Sequence, residues 1–442
     1  MVDNRVMPNT IVATTENLNK LTAFRQTVYD QFGPARDALF ELSDAVLLSN
    51  QVNSFAELSL CPAFRRRWPS VYEALQDSQP DRSKLLDAYV AQMPMNQRPI
   101  LMSDHTAWPR PAAYTLRERT VEHQPTPIPG AKPITVGQGY STLAWVPEAQ
   151  GSWALPLLHE RIASDEKPVA KAAHQLKQVC GCIPERCLAL LDAEYGCAPF
   201  VQQIADLPCD VLVRLRPNLG LFCAPPSYAG RGRPAVHGRK FKLKDARTWG
   251  KPPTMLEVTD PDLGPVQVSL WANLHFRKAA RQPFWVLRLE RLQARGTRRD
   301  QRVVWLAWLG QPPPPVAEWW KVYFRRFAGD HWYRFAKQSL QWTLPRLKTP
   351  EQAERWSDLM PFLTWQVWLA RAVVADRPLP WQKQQVALSP GRVRQSLGAI
   401  WMQVGTPTQL PKRRGKSPGW PTGHPRQRAQ RFPIVKKRRR PN

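Results

Sequence analysis

Two short apolar runs end in a carboxylate: Arg98-Pro-Ile-Leu-Met-Ser-Asp104 and Cys187-Leu-Ala-Leu-Leu-Asp192. A third acid, Asp330, lies in a stretch dense in Trp and Phe together with Tyr323, Arg326, Arg334 and Lys337. At about 100° per residue, with Tyr323 as zero, Arg326 falls at about −60°, Lys337 at about −40°, Asp330 at about −20° and Arg334 at about +20°. Five groups that bond or carry charge therefore share a stripe roughly 80° wide. A solvated face with a local Arg326–Asp330 pair, four residues apart, would produce part of this pattern. Bulky aromatics on the other sides argue for a helix packed on several faces. An acid held among bases in such a setting is a mark of a working site. Towards phosphate, Arg presents a planar two-pronged donor and Lys a point charge.

Elements must hold these groups. Apolar residues recur at three- and four-residue spacing over Asn17–Phe32, Ala35–Ser49 and Ser70–Asp77, which predicts helices. Ser54-x-x-Glu57 and Ser70-x-x-Glu73 have the pattern of reciprocal N-terminal caps. Residues 1–95 read as a near-neutral helical N-terminal domain. Strands are expected at 98–104, Lys132–Val146, Ser152–Leu158, Cys187–Asp192 and Asp210–Leu215, with helices at Val169–Cys180 and Pro199–Ala205. That order predicts a mixed α/β sheet covered by helices over 96–216. Residues 217–315 read as a β-rich insertion, with strands at Thr254–Thr259, Val266–Leu274, Phe284–Leu289 and Val303–Leu309. A long helix over Val316–Trp342, and another begun by Thr349-Pro350-Glu351-Gln352 and ending near Asp376, complete the core over 316–376.

In 442 residues, 63 Lys and Arg oppose 35 Asp and Glu, a formal charge of +28. Residues 1–100 are nearly balanced, whereas 377–442 hold many bases and no acid. This tail mixes charge with Pro and Gly, so it is expected to be largely disordered and to bind phosphates by counterion release. The excess in the middle of the chain favours a nucleic acid over a membrane surface, since no basic amphipathic helix sits beside an apolar anchor. Gly230-Arg231-Gly232-Arg233-Pro234 resembles an AT-hook core, and Arg231 and Arg233 are expected to contact DNA there. Seven irregularly spaced Cys exclude a disulfide framework, and Cys180-x-Cys182-x4-Cys187-x9-Cys197 lacks the paired spacing of zinc sites. Ser103-Asp104-His105 makes no catalytic triad, because adjacent strand residues face opposite ways. The mostly apolar stretch Pro361–Ala375 is short of the about 20 residues a membrane span needs. The opening MVDNRVMPNT lacks an export pattern, so a cytoplasmic location is expected.

Tyr323-x2-Arg326-x3-Asp330-x6-Lys337 resembles the Tyr-Arg-Glu-Lys signature of the DDE transposases of bacterial insertion sequences. The flanking Arg326-Phe327-x2-Asp330-His331-x2-Arg334-Phe335-x-Lys337-Gln338 is similar to that block in detail. Asp104 in Ser-Asp-His-Thr-Ala-Trp and Asp192 in Leu-Leu-Asp-Ala-Glu-Tyr-Gly resemble the first and second catalytic acids. The resemblance covers about residues 35–376 and implies a ribonuclease-H-like core. It implies catalysis by Asp104, Asp192 and Asp330, holding two Mg²⁺ (or Mn²⁺) ions with Asp104 shared between them. Tyr323, Arg326 and Lys337 would grip phosphates near the transposon end and aid hairpin formation. One of Trp249, Trp271 and Trp285 would hold a flipped base, although core packing accounts for each of them as well. The implied activity is strand cleavage at transposon ends and strand transfer into target DNA, by a homodimer on double-stranded DNA in the bacterial nucleoid.

One residue departs from the family pattern. Glu is usual at the third acid, and Asp330 is shorter by one methylene. The helix must then lie closer to the metals, and Gly329 would permit that approach. Glu194 and Glu318 are weaker substitutes, being off the stripe. The departure leaves open a catalytically inactive relative that binds transposon ends, and a non-specific metal nuclease is a third reading.

Overall fold

A computed structural model describes residues 7–49, 54–94, 96–124, 132–228, 230–297, 301–413, 419, 421–425 and 428–436, with side chains of the first helix from residue 15. Five helices lead: α1 (Met7–Asp30), α2 (Arg36–Leu48), α3 (Phe55–Leu58), α4 (Pro69–Asp77) and α5 (Arg82–Val90). Ser54 caps α3 by accepting from the Glu57 N–H, as its spacing predicts. Ser70 caps nothing, because α4 begins one residue earlier at Pro69, whose missing N–H suits a first helical position.

Strands β1 (Ile100–Pro109), β2 (Thr120–His123), β3 (Ile134–Trp145) and β4 (Leu155–Ile162) follow, then α6 (Pro168–Cys182), β5 (Cys187–Leu191), α7 (Ala198–Gln203) and β6 (Cys209–Leu215). A two-stranded ribbon comes next, β7 (Gly220–Phe222) with β8 (Lys240–Lys242), followed by β9 (Thr254–Asp260), β10 (Gly264–Leu274), β11 (Phe284–Arg291) and β12 (Val303–Leu309). The main sheet runs β2-β3-β1-β5-β6-β12-β11-β10-β9, with β4 also paired to β3. Pairing is parallel for β1–β5 and β5–β6 and antiparallel elsewhere. The class is mixed α/β, as the strand and helix order predicts. The strands from 254 to 309 continue this sheet, since β12 joins β6 along Leu309↔Val211 to Trp305↔Leu215.

The stretch 316–342 is helical in outline only. It breaks into a 3₁₀ turn at Val316–Glu318, α8 (Trp319–Phe324), a 3₁₀ turn at Arg325–Phe327, α9 (Ala328–Arg334) and a π turn at Phe335–Ser339. Then come α10 (Pro350–Ala370), α11 (Pro390–Ser396) and α12 (Trp401–Val404). Thr349 caps α10 by accepting from the Gln352 N–H, and the Gln352 side chain accepts in turn from the Lys348 N–H.

One apolar core joins the N-terminal helices, α10 and the sheet. Trp365 lies between Tyr89 of α5 and Trp145 of β3, with ring centroids 6.0 and 5.9 Å away. Three of the buried indoles there find acceptors: Trp365 donates to the Pro156 carbonyl, Trp332 to Thr364 and Trp342 to Ser357. A second core packs Trp319, Trp320 and Tyr323 of α8 onto Leu190, Leu212, Leu287, Leu306 and Trp308. The extension strands thereby help to floor α8.

The segment from 377, expected to lack order, folds back over 388–409. Val393, Leu397, Ile400 and Val404 recur at four-, three- and four-residue spacing and are buried. Arg394 donates to the Val46 carbonyl at 2.9 Å, and Thr408 to Glu41 at 3.2 Å. Further on, the Val435 N–H reaches the Arg119 carbonyl at 2.8 Å beside β2. The basic positions 414–418 and 437–442 lie outside the described residues.

Arg25 and Asp44, 1% and 2% exposed, pair at 3.0 Å between α1 and α2. Arg25 also contacts Gln366 of α10 and donates to the Gly405 carbonyl at 3.2 Å. Burial pushes the Asp44 carboxyl up to about 6, against the pull of Arg25. The folded chain then holds this proton more tightly than the unfolded chain, whose value is about 4. The group's contribution is complete below about pH 4 and is lost as the pH rises through about 6. We expect urea titrations to show stability falling across that window, with a shallower fall in Asp44→Asn. Equal slopes would contradict this assignment.

Candidate active site

Strands β1 and β5 are parallel, and their last paired positions are Ser103 and Leu191. One step further, Asp104 and Asp192 come side by side, on strands about 4.8 Å apart. Asp192 lies just beyond β5, as expected. Asp104 lies within β1, five residues short of its end, because β1 goes on pairing with β3 to Pro109. Asp104 therefore sits where the parallel partner stops and the sheet opens.

Side chains alternate along a strand, so Met102, Asp104, Thr106 and Trp108 share one face of β1. The chain from 326 to 343 crosses that face. A Cβ at Gly329 would lie 2.1 Å from Met102 Cε, so glycine allows a close approach there. Arg326 Nη1 donates to Asp104 Oδ2 at 3.1 Å, Lys337 Nζ to Thr106 Oγ1 at 2.7 Å, and Trp108 Nε1 to the Thr343 carbonyl at 3.0 Å. The π turn widens the helix at Lys337, the kind of local distortion often found at functional sites.

Arg326 is the hub. Besides Asp104 it faces Asp330 at 4.0 Å, one turn along its own helix. Burial opposes its charge, yet Tyr323 and the carboxylates of Asp104, Asp192 and Asp330 hold its proton more tightly than usual. The Asp104 carboxyl is raised, first by burial, with Arg326 pulling the other way and Asp192 adding to the rise. Burial raises the Tyr323 hydroxyl to about 12 and lowers the Lys337 ammonium. The side chain of Asp330 is 55% exposed and that of Asp104 19%, while Asp192 is half-buried.

Five of the expected residues thus converge with Asp192: Asp104, Asp330, Tyr323 and Arg326 around one guanidinium, and Lys337 two positions along β1. Arg334 is on the same helical segment but turns to solvent. Arg231 and Arg233 lie elsewhere, in the exposed loop between β7 and β8. Trp271 is buried, packing against Trp249 and Trp305 at 5.9 and 5.8 Å, and Trp249 donates to the Lys242 carbonyl. Trp285 is partly buried at the edge of the second core.

Several contributors carry no motif. The Tyr333 hydroxyl, 2.9 Å from both the Asp104 carbonyl and Thr142 Oγ1, clamps α9 to β1 and β3. At about −80° it borders the helical stripe, which was the available signal. Thr142, opposite Asp104 in β3, also meets His159 Nδ1 at 2.9 Å. Burial, with Lys337 nearby, lowers His159 to about 3, so the ring is neutral. On the other face, His105 Nδ1 lies 3.3 Å from the Tyr195 hydroxyl, tying β1 to the turn after Asp192.

A mixed sheet thus carries two acids at adjoining parallel strands, with a third on a helix laid across them. The chain belongs to the DDE superfamily endonucleases, whose family model matches residues 27–268, more than half its length. The match takes in Asp104 and Asp192 and stops short of Asp330. No curated protein matches the chain. Membership implies a DNA substrate, and enzymes of this superfamily generally use divalent metals. No helix among the described residues is long and apolar enough to cross a membrane.

Proposed function

We propose that the protein is a cut-and-paste DNA transposase of the bacterial insertion-sequence type, with Asp330 as its third acid. It would cleave strands at transposon ends and join the freed 3′ hydroxyl to target DNA, as a homodimer pairing two ends. The observation that carries this reading is the gathering of Asp104, Asp192 and Asp330 around the single Arg326 guanidinium.

That gathering supports a metal role. Carboxylate oxygens are the ligands Mg²⁺ and Mn²⁺ prefer, and a buried cation already stands among them. Asp104, Asp192 and Asp330 would hold two such ions, and that charge would serve to activate the attacking oxygen and stabilise the leaving one. The chain's own groups do the rest. Arg326 would leave Asp104 for a DNA phosphate, which its fork fits. Lys337, poorly solvated at Thr106, gains most from an anion beside it, and the Tyr323 hydroxyl, buried without a hydrogen-bond partner, is free to donate. Gly329 against Met102 supports a helix drawn in far enough for the shorter Asp330.

If Arg326 occupies a cation's place, removing it frees Asp104. Arg326→Ala should then tighten Mn²⁺ binding by about tenfold in the DNA-free protein, about 1.4 kcal/mol, read by calorimetry. Unchanged or weaker binding would contradict the competition.

A second reading has its own support. Among the described residues, no three His, Cys, Asp or Glu side chains stand close enough to hold a metal ion. A catalytically inactive relative that only occupies DNA ends would show this. Incubating the full chain with duplexes carrying its element's ends, with and without Mg²⁺, separates the readings. Metal-dependent 3′-end cutting at those ends supports the transposase, and end-specific binding without cutting supports the inactive relative. Equal cutting of unrelated DNA would point to a general nuclease and against both.

A further inference from the structure

The loop between β7 and β8 is a built projection. At its root the Cys223 N–H donates to the Arg239 carbonyl and the Gly238 N–H to the Cys223 carbonyl, both at 2.9 Å. The two legs are so close that a Cβ on Gly238 would lie 2.0 Å from the Ala224 carbonyl oxygen. Phe222, His237 and His275 stack beneath, and His237 Nδ1 lies 3.0 Å from His275 Nε2.

The tip is the opposite of the root. Gly230 and Gly232 have φ of 81° and 77°, and a Cβ at either would meet nothing within 4 Å. Arg231 and Arg233 alternate with them and are exposed, and Tyr228, 56% exposed, donates to the Gly232 carbonyl at 2.8 Å. Residues 225–251 hold eight Lys and Arg against one acid, Asp245. Asp245 is already engaged by Arg247 at 3.0 Å and faces Lys242 at 4.0 Å. Among the described residues, no ion pair or hydrogen bond engages the guanidinium groups of Arg231 and Arg233.

We propose that this arm inserts Arg231 and Arg233 into the minor groove of A·T-rich duplex DNA. A narrow A·T groove concentrates negative potential and takes up Arg, whose guanidinium sheds water more readily than an ammonium. Glycines on either side of Arg231 let the backbone lie along the groove floor without side chains in the way. The arm also departs from the right place. Strands β5 and β6 are parallel and in register, so the chain leaves β6 at the sheet end that carries Asp192, and β7 starts at Gly220. DNA held at the acids would pass the arm's root.

The inference rests on the DNA-acting reading only for its choice of partner, and it needs no metal. The test is fluorescence anisotropy of the full chain in chelator, with A·T-rich and G·C-rich duplexes of equal length. The expected result is an A·T preference in the parent protein. Arg231→Ala with Arg233→Ala should weaken A·T binding by about tenfold with little change on G·C. Arg231→Lys with Arg233→Lys keeps the charge and should lose most of the preference. Gly230→Ala with Gly232→Ala, strained at positive φ, should do the same while the melting temperature holds. Equal losses on both duplexes, or an undiminished A·T preference in the Lys pair, would overturn the minor-groove assignment and leave a phosphate contact. Failure of the parent protein to bind either duplex would sink the DNA reading itself, a distinct outcome.

Discussion

Asp104→Asn and Asp192→Asn should each reduce metal-dependent DNA cleavage by about 10³-fold or more while leaving end binding within a few-fold of the parent protein. The carboxylates stand beside one another where β5 stops pairing with β1, and each supplies a full negative charge that an amide lacks. Polarisation of a phosphoryl oxygen by a bound ion is worth several kcal/mol, and each 1.4 kcal/mol is tenfold in rate. Binding is spared because the proposed phosphate contacts, Tyr323, Arg326 and Lys337, remain. The amides also nearly preserve shape, so Asp104→Asn can still accept from the His105 N–H, now at 2.8 Å. Cleavage close to the parent rate in either variant would remove that acid from the mechanism. A thiolate variant sharpens the test. Asp104→Cys should recover part of the activity with Mn²⁺ but not with Mg²⁺, since a softer ligand suits the former ion better.

Arg25→Met should lower folding stability by about 3–5 kcal/mol, the usual cost of leaving a buried charge without its partner. Arg25 does more than neutralise Asp44. It bonds both Asp44 oxygens, contacts Gln366, holds the Gly405 carbonyl, and lies 4.7 Å from the Phe40 and Trp401 rings. Four segments meet at one side chain: α1, α2, α10 and the stretch after α12. The double variant Arg25→Met with Asp44→Leu should recover most of the loss, because apolar side chains of similar volume replace buried ion pairs well. Additive losses in the double variant, read by denaturant titration, would show that the pair is not coupled. The first helix and the C-terminal segment should lose amide protection together in Arg25→Met.

The acids and the helical stripe were legible because each depends on local pattern. An apolar run ending in Asp reports a buried strand that ends, as at Asp192, or loses its parallel neighbour, as at Asp104, and 3.6-residue spacing places Tyr323, Arg326, Asp330 and Lys337 on one side. Two distortions stayed hidden. The 3₁₀ turn at Arg325–Phe327 and the π turn at Phe335–Ser339 answer to packing against β1, which no helical period records. Tyr333 was missed because its work is done by a hydroxyl reaching a backbone carbonyl, and any residue supplies a carbonyl.

Strands of the region 217–315 were visible as apolar runs, but their destination was not. That β12 pairs with β6 is fixed by contacts 87 to 98 positions apart, such as Arg214 with Gln301 and Leu309 with Val211, and by the apolar face α8 requires. Order in the segment 388–409 was masked by composition. Pro, Gly and Arg suggested a solvated tail, whereas Val393, Leu397, Ile400 and Val404 form a narrow apolar seam beside them. Long Arg side chains extend across that seam: Arg392 is buried with Asp376 at 2.9 Å, and Arg394 reaches α2. A basic residue covering apolar surface with its stem reads as charge alone in a one-dimensional count.

On the proposed reading, Asp104, Asp192 and Asp330 form one divalent-ion site. Crystals of the full chain soaked in Mn²⁺ and measured at the manganese absorption edge test it most directly. The expected result is an anomalous peak in contact with Asp104 and Asp192, with the Arg326 guanidinium moved off Asp104 and Asp330 turned towards the peak. Saturating Mn²⁺ with no peak there, and Arg326 still bonded to Asp104, would contradict it.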